Sequence, residues 1–345
     1  MVAKTEKNPG AGAREKPGLQ VVFGTGPVGW ATVRELVNRG LRVRVVNRSG
    51  RLPSTVVETR PEGLEVVAAD ATDRAAVRSV SAGATHMYNC AHARYDQFAK
   101  VLPVLYGTIA DAAVEHGAVL ATAQNLYVYA RGLPVIDDSS PVDPPTRKGR
   151  VIQKLQEGLE EAGRRRGLRW TVVRASDFYG PGSVEQSLFG SARFLDPLAV
   201  GKKPMLIGDP DQPHTYTYVG DYGRALVVAG LSPAAHGSTW IVPNDRTITT
   251  RQMAALFFCA AGRDPGFSAV PRFMLVLAGL VDPVIREIPE MLYQKEEPYV
   301  VDGSRFASCF GFTPTSLEDG VRLTLQWHGA WRAAQGGQAH GERAA

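Results

Sequence analysis

Short apolar runs alternate with longer amphipathic ones along most of this chain. Leu19 to Phe23 is a compact apolar run bounded by glycine, which suits a strand buried on both faces of a parallel sheet. Val28 to Asn38 follows with helical spacing of Val28, Val33, Leu36 and Val37, and Gly40 closes it as a C′ residue. The same reading predicts strands at Leu41–Val46, Leu64–Ala69, Thr85–Cys90, Ala118–Ala123 and Trp170–Val173. It predicts long helices at Gln97–His116 and Thr146–Arg166, the second after a Pro/Asp/Ser-rich excursion from Leu133 to Pro145. Strand and helix in alternation call for an α/β fold: a Rossmann-type, doubly wound parallel sheet with helices on both faces. After Gly180 the pattern loosens. Short helical stretches, a Gly/Pro/Asp turn at Gly208–Pro213 and a short strand at Thr239–Val242 predict a small C-terminal α/β substrate lobe.

The expected organisation is a disordered leader over 1–18, a nucleotide-binding domain over 19–180, a region over 181–331 that is mainly lobe with some segments returning to the first domain, and a disordered tail over 332–345. Within 345 residues there are only three cysteines, Cys90, Cys259 and Cys309, too few and too scattered for a disulfide framework or a zinc site. No metal is expected, and a reducing cytoplasm is the natural setting. The first residues carry charges with no apolar core of a signal peptide, and Phe273–Val281 is shorter than the roughly 20 residues that span a bilayer. The net charge of +5 is spread without a basic stripe, so neither nucleic acid nor membrane is expected as a partner.

The chemistry begins at Gly24-Thr25-Gly26-Pro27-Val28-Gly29. With 36 glycines in the chain a GxGxxG is weak by itself, but this one follows an apolar strand and opens an amphipathic helix. Gly24 allows the tight turn, Gly26 lets backbone approach a pyrophosphate, and Gly29 permits close helix–strand packing. The helix N-terminus supplies N–H groups to the phosphate. The second strand ends in Asn47-Arg48-Ser49, with Arg51 close behind. An NAD site usually has a carboxylate there for the ribose 2′-hydroxyl; a guanidinium and a hydroxyl suit a 2′-phosphate. NADP(H) is therefore the expected cofactor, with NAD as the other option and a solvated loop arginine as the plain reading of Arg48.

Further stretches resemble the short-chain dehydrogenase/reductase superfamily in its extended and atypical, epimerase/dehydratase-like branches, from about Leu19 to Trp327. Ala69-Asp70-Ala71-Thr72-Asp73 resembles the acidic turn that touches adenine. Asn89-Cys90-Ala91-His92 lies where the family's fourth strand passes the cofactor ribose. Arg174-Ala175-Ser176-Asp177-Phe178-Tyr179-Gly180-Pro181-Gly182 is similar to its "RxxxxYGPG" segment, and Tyr218-Val219-Gly220-Asp221 to its "fvhVxD" segment. The stretch from Asp302 to Gly320, with Gly311-Phe312-Thr313-Pro314, resembles its tail. The resemblance implies cofactor contacts at Asp70, Ala71, Cys90, Ala91 and His92, and a homodimer formed through the two long helices. Asp70, Asp73 and Asp221 could equally serve as helix caps.

The chain departs from that family where catalysis is expected. YxxxK is absent: Lys148 stands in the Tyr position, Ile152 in the Lys position and Asn125 in the Ser/Thr position. The run Lys148-Gly149-Arg150-Val151-Ile152-Gln153-Lys154 resembles the "KxxIRR" helix start of the isoflavone-reductase-like branch, which implies Lys148 as proton donor and cofactor contact. Such a role calls for a lysine desolvated beside an apolar substrate. Tyr127 is a second candidate acid and Asn125 a group that orients a carbonyl. Phe178, Tyr179, His214 and Tyr216 are candidate substrate contacts, with core packing as their other reading. Gln212-Pro213-His214-Thr215-Tyr216 lacks the arginine with which the family's sugar-nucleotide enzymes hold pyrophosphate. A small, partly apolar ketone or enone, as in secondary metabolism, is the expected substrate. The expected function is an NADP(H)-dependent oxidoreductase reducing a carbonyl or activated double bond. An NAD(P)-dependent epimerase/dehydratase and a non-catalytic NmrA-like redox sensor are the alternatives.

Overall fold

The computed structural model describes residues 18–341 apart from 185, 186, 271–273, 275, 276, 278 and 279. The predicted leader lies outside the described residues except for Gly18, as does part of the apolar run Phe273–Val281. Seven parallel strands form the central sheet: β1 (Leu19–Phe23), β2 (Val43–Asn47), β3 (Glu65–Ala68), β4 (Ala84–Asn89), β5 (Val119–Asn125), β6 (Arg169–Ala175) and, last in sequence, Ser238–Ile241. Across the sheet the order runs from Ser238–Ile241 through β6, β5, β4, β1 and β2 to β3. The chain reverses direction of progress between β1 and β4, and the crevice at the carboxyl ends of these two strands is where such sheets bind ligands. Helices α1 (Pro27–Asn38), α2 (Arg74–Val80), α3 (Phe98–Glu115) and α4 (Arg147–Arg166) cover the two faces.

The two longest strands outrun their predicted ends because polar residues inside them are buried in pairs. Thr122 and Gln124 of β5 and Thr171 and Arg174 of β6 are all buried, and Arg174 donates to Gln124 Oε1 at 3.4 Å. A pattern that stops a strand at its first polar residue cuts these short. The strand predicted at Thr239–Val242 is a larger difference. It belongs to the main sheet and extends it beyond β6 in parallel register, Trp240 opposite Val173. A helix that follows the lobe's first segments, Val219–Leu231, also returns to the sheet and packs on α1 so tightly that a Cβ on Gly223 would lie 2.5 Å from Ala31. Tyr222 fastens it, donating to the carbonyls of Gln124 at 2.6 Å and Val173 at 3.1 Å.

The remaining lobe has its own aromatic core. Phe189 stacks on Phe257 at 5.5 Å, and Phe194 and Tyr216 meet Phe189 edge-on. The last described element is one long helix, Leu317–Gly341, in which Trp327 stacks on Trp331 at 5.5 Å. The backbone stays helical to Gly341 where a frayed tail was expected after Trp331, although the described residues with which this helix packs on the lobe core end at Trp331. No helix among the described residues is long and apolar enough to cross a membrane.

Candidate active site

Backbone geometry alone prepares the glycine turn for a phosphate. Gly24 has φ +97°, and a Cβ there would meet Cys90 O and Ala91 N at 2.8 Å, because β1 and β4 end in contact at the crevice. A Cβ on Gly29 would lie 2.1 Å from Gly24 O, which is the close helix–turn packing expected of this position. Gly26 instead faces open space, with nothing within 4 Å of where its Cβ would be. It is also the N-cap of α1 and makes no side-chain cap, so the first N–H groups of the helix remain directed at that space. Pro27 follows at the first helical position, where a missing N–H costs nothing. A nicotinamide dinucleotide fits this cradle; Gly26 and the first turn of α1 would hold its pyrophosphate.

The rim residues divide by role. Asn47 is spent on shaping the loop after β2: its amide donates to Thr25 Oγ1 at 3.0 Å and Arg51 O at 2.7 Å, and its Oδ1 accepts the N–H of Ser49 and Gly50. Arg48 and Ser49 are exposed beyond it. Asp70 accepts the backbone N–H and hydroxyl of Thr72 at 2.8 and 2.7 Å; these bonds, helped by the charge of Arg48, hold its carboxyl below the ordinary range. Ala71 O accepts the Thr108 hydroxyl. Asp73 caps α2, as one of its two readings had it, whereas Asp221 does not cap its helix: it sits buried in the first turn and accepts the N–H and hydroxyl of Thr315 at 2.6 and 2.8 Å. After β4, burial pushes the Cys90 thiol up to about 12, so it remains a thiol 3.6 Å from Thr32 Oγ1. Next to Ala91, the His92 ring lies edge-on to Phe98 at 5.3 Å, with Nδ1 2.8 Å from Ala93 O.

Beyond β5 the chain turns sharply, with Asn125 Oδ1 accepting Tyr127 N–H at 3.2 Å. The first turn of α4 is pressed onto this turn. Thr146 caps the helix by accepting Gly149 N–H at 3.0 Å, and a Cβ on Gly149 would stand 2.2 Å from Tyr127 O. That contact delivers Lys148 to the crevice but not to open solvent: it is 3% exposed. Its ammonium meets the carboxylates of Glu287 and of Glu290 (2.7 Å for the latter) and Glu287 O at 3.3 Å, while lying 5.2 Å from the centre of the Tyr95 ring. An ammonium has three donors, and three acceptors match them. The expected surroundings, an apolar substrate beside a desolvated lysine, are not what encloses this side chain. Ile152, in the other YxxxK position, is buried in the core.

The hydroxyl that does reach a neighbour across the crevice is Tyr127, 2.7 Å from Tyr95 Oη. Burial raises both hydroxyl pKa values, Tyr127's well above the ordinary tyrosine value, so both keep their protons at neutral pH. Behind this pair lies a buried ionic cluster. Asp177, just past β6, pairs with Lys295 Nζ at 2.6 Å and His214 Nε2 at 3.0 Å. Burial works to raise the Asp177 pKa, but the Lys295 charge and the His214 bond outweigh it and hold the carboxyl far below its usual range. For Lys295 burial acts the other way and Asp177 overcomes it, leaving its pKa raised; His214 is driven down by burial and by Lys295 and is neutral.

The four predicted substrate residues are thus not equivalent. His214 belongs to the cluster. Tyr216 lies behind it, its ring 4.5 Å from that of His214 and its hydroxyl 2.7 Å from Thr250 Oγ1. Tyr179 is 1% exposed and packs among Tyr218 and Phe257 in the lobe core, so it takes its packing role and not a pocket role. Phe178 is half-buried against the sheet side. Sequence reading missed Tyr95, Glu287, Glu290 and Lys295, and passed over Asp177 inside a quoted motif. Lys295-Glu296-Glu297 looks like a solvated charge run, and only the fold carries it under the crevice. No group of three or more His, Cys, Asp or Glu among the described residues could hold a metal.

The sequence model of the NAD dependent epimerase/dehydratase family matches residues 21–242, well over half of the chain. The chain belongs to that family. Its description as NAD dependent agrees with the glycine turn, and the family is one of enzymes. A putative UDP-glucose 4-epimerase of Methanocaldococcus jannaschii is 25% identical over 95 residues, 27% of this chain and 31% of that protein, so the match spans about a third of the relative's length. The UDP-glucose 4-epimerase of Thermotoga maritima, solved with UDP-glucose, superposes with TM-score 0.73 at 18% identity over 90% of this chain and 98% of that one. DesIV of Streptomyces venezuelae, a dTDP-glucose 4,6-dehydratase solved with NAD bound, gives 0.73 at 19% identity over 90% and 96%. At these identities the structures establish the shared fold.

Proposed function

We propose that this chain is an NADP(H)-dependent oxidoreductase that reduces a carbonyl or an activated double bond of a small, partly apolar metabolite, with Tyr127 as proton donor. The observation that carries this reading is the Tyr95–Tyr127 hydroxyl contact beside a Lys148 whose donors are all engaged. The bound nicotinamide supplies or accepts hydride. This chain's residues must then place a carbonyl oxygen within reach of a held proton. Tyr127 holds that proton, and Tyr95 can pass one to it through the 2.7 Å contact. Asn125 uses its carbonyl oxygen on the turn, so its amide N–H groups are the half that can orient a substrate oxygen. Arg48, exposed at the end of β2 with no carboxylate at that strand end, supports the 2′-phosphate preference.

Family membership favours a second reading, an epimerase or dehydratase that re-uses its nucleotide, and the named neighbours act on sugar nucleotides. One experiment separates the two. NADPH and NADH are titrated by fluorescence, and consumption at 340 nm is then followed with a panel of ketones and enones. Interconversion of UDP-glucose and UDP-galactose is assayed in parallel. NADPH binding about tenfold tighter than NADH, with turnover of a panel member, supports the reductase. Equal affinities sink the NADP assignment, and sugar-nucleotide interconversion replaces the reductase by the epimerase.

A further inference from the structure

Residues 52–58, in the loop that follows β2, run as a strap between the two halves of the molecule. Leu52 and Val56 pack on the sheet-side core that includes α1, whereas Val57 packs on the aromatic core of the lobe. A turn from Pro53 to Val56, closed by Val56 N–H on Pro53 O at 2.9 Å, contains Thr55. Two indoles fasten the strap. Trp327 of the last helix donates to Thr55 O at 2.9 Å, and Trp30 of α1 donates to Glu58 Oε2 at 3.1 Å. Trp327 is buried, and its stack on Trp331 fixes the ring that carries this N–H.

These contacts bring the strap over the glycine turn. Thr25, Gly26, Pro27, Thr55 and Trp327 border one cavity of about 10 Å³, room for a single water. Gly182, with φ +82°, borders it too: a Cβ there would stand 3.7 Å from Pro27 Cα and 4.0 Å from Thr55 Oγ1. One wall is therefore the first turn of α1, whose N–H groups attract a phosphate. The facing wall presents Thr55, which is fastened through its carbonyl and whose hydroxyl makes no hydrogen bond among the described residues. Glu58 also borders the cavity, but its carboxylate is compensated by the Trp30 N–H and by Arg34, 3.2 Å away. A phosphate is larger than one water, so the strap has to part from the turn to admit a nucleotide. Once water is displaced, the charged oxygens held by α1 need a donor on their other side, and the Thr55 hydroxyl is placed to supply it.

We propose that Thr55 is a pyrophosphate-binding residue, its hydroxyl donating to an oxygen that faces away from α1, and that Trp327 is the positioning residue that holds Thr55 there. The last helix of the lobe thereby takes part in holding the nucleotide. The proposal rests on the dinucleotide cradle alone and stands equally for a nucleotide that is exchanged or re-used.

Binding is measured by calorimetry on the full chain, with thermal melts to identify folded variants. The dinucleotide probe is NADP⁺ or NAD⁺, whichever the native chain binds more tightly. Its control is the matching half without a pyrophosphate, 2′-AMP or adenosine, read by displacement of the dinucleotide. Thr55→Val should weaken the dinucleotide about tenfold, the scale of a hydrogen bond to a charged group, and leave the half-probe within about twofold. Thr55→Ser, which keeps the hydroxyl, should stay within about twofold of native for both probes. Trp327→Phe keeps the ring stack and loses the N–H; it should weaken the dinucleotide about fivefold in the native background but less than about twofold in Thr55→Val, because it acts through Thr55. Native-like dinucleotide affinity in Thr55→Val, an equal loss for the half-probe, or the same weakening in Thr55→Ser overturns the Thr55 assignment, and these outcomes need no change at Trp327. A Trp327→Phe loss that is as large in Thr55→Val as in the native chain marks a merely structural tryptophan and overturns the positioning role. If the native chain binds neither dinucleotide, the cradle reading falls and the proposal with it.

Discussion

Tyr95 and Tyr127 share a hydrogen bond of 2.7 Å although they come from different crossovers, one just after β4 and the other just after β5. Two tyrosines thereby meet beside Lys148, whose ammonium lies 5.2 Å from the centre of the Tyr95 ring. On this arrangement Tyr127→Phe should lower kcat on an identified substrate about a hundredfold, the scale of a general acid, with KM within about twofold. Tyr95→Phe should cost about tenfold, because Tyr127 keeps its own proton. Steady-state kinetics of both variants decide it, and full turnover in Tyr127→Phe would remove Tyr127 from the reaction.

Lys148 is expected to matter more for stability than for chemistry. Replacing it by Met leaves Glu287 and Glu290, each with about a fifth of its side chain exposed, with only the exposed Arg147 as a cation, 3.4 and 3.8 Å away. Loss of a partner in a buried ion pair costs about 3 kcal/mol. Urea unfolding of Lys148→Met should show a loss of this size, largely restored in Lys148→Met/Glu287→Gln/Glu290→Gln. Activity per folded molecule should fall less than tenfold; a hundredfold fall at unchanged stability would return the proton-donor role to Lys148.

Arg48 offers a cleaner test of the cofactor. Arg48→Ala should weaken NADPH about tenfold, in keeping with a lost charge-assisted phosphate contact, and leave NADH within twofold. The effect should shrink with added salt, because the side chain is exposed. Parallel loss for both nucleotides would mean that Arg48 reads no 2′-phosphate.

The sheet carries a pH dependence of its own at His86. Gln20 donates to its Nδ1 at 3.3 Å, and burial, aided by the charges of Arg169 and His236, lowers its pKa from 6.5 to about 4. The unfolded chain takes up this proton between pH 6.5 and 4 while the folded chain does not, so stability is full above 6.5 and declines as pH falls through that window. The contribution is about 1–2 kcal/mol after discounting for partial exposure. Denaturation at pH 7 and pH 4.5 should differ by about this much more in the native chain than in His86→Gln; identical differences would exclude His86 as the cause.

The sheet and the glycine turn were legible because each rests on local pattern. Apolar runs of five residues mark buried strands, Gly29 is required by its contact with Gly24 within the turn, and Gly24 by its positive φ and by the end of β4 against it. The candidate site was legible only on its Rossmann side. Asn125, Tyr127 and Lys148 could be placed by spacing from β5 and α4, but what encloses them could not. Glu287 and Glu290 lie about 140 residues further along the chain from Lys148, in a stretch with no strand or helix pattern strong enough to fix its position. Lys295 hides in a charge run for the same reason. The aromatic candidates were illegible for another reason: only three-dimensional packing sends Tyr179 into the lobe core and His214 to Asp177.

The return of strand Ser238–Ile241 to the sheet makes the two regions inseparable by any single cut. A fragment ending near Gly180 would leave the β6 edge bare, with unpaired N–H and C=O groups that invite pairing with another chain. It would also lack the helix whose Tyr222 ties β5 to β6. The nucleotide-binding half is therefore expected to aggregate when expressed alone, and the C-terminal half to lack a surface on which to fold. Crevice and lobe are parts of one cooperative unit, so mutations in the lobe should be felt as far away as the glycine turn.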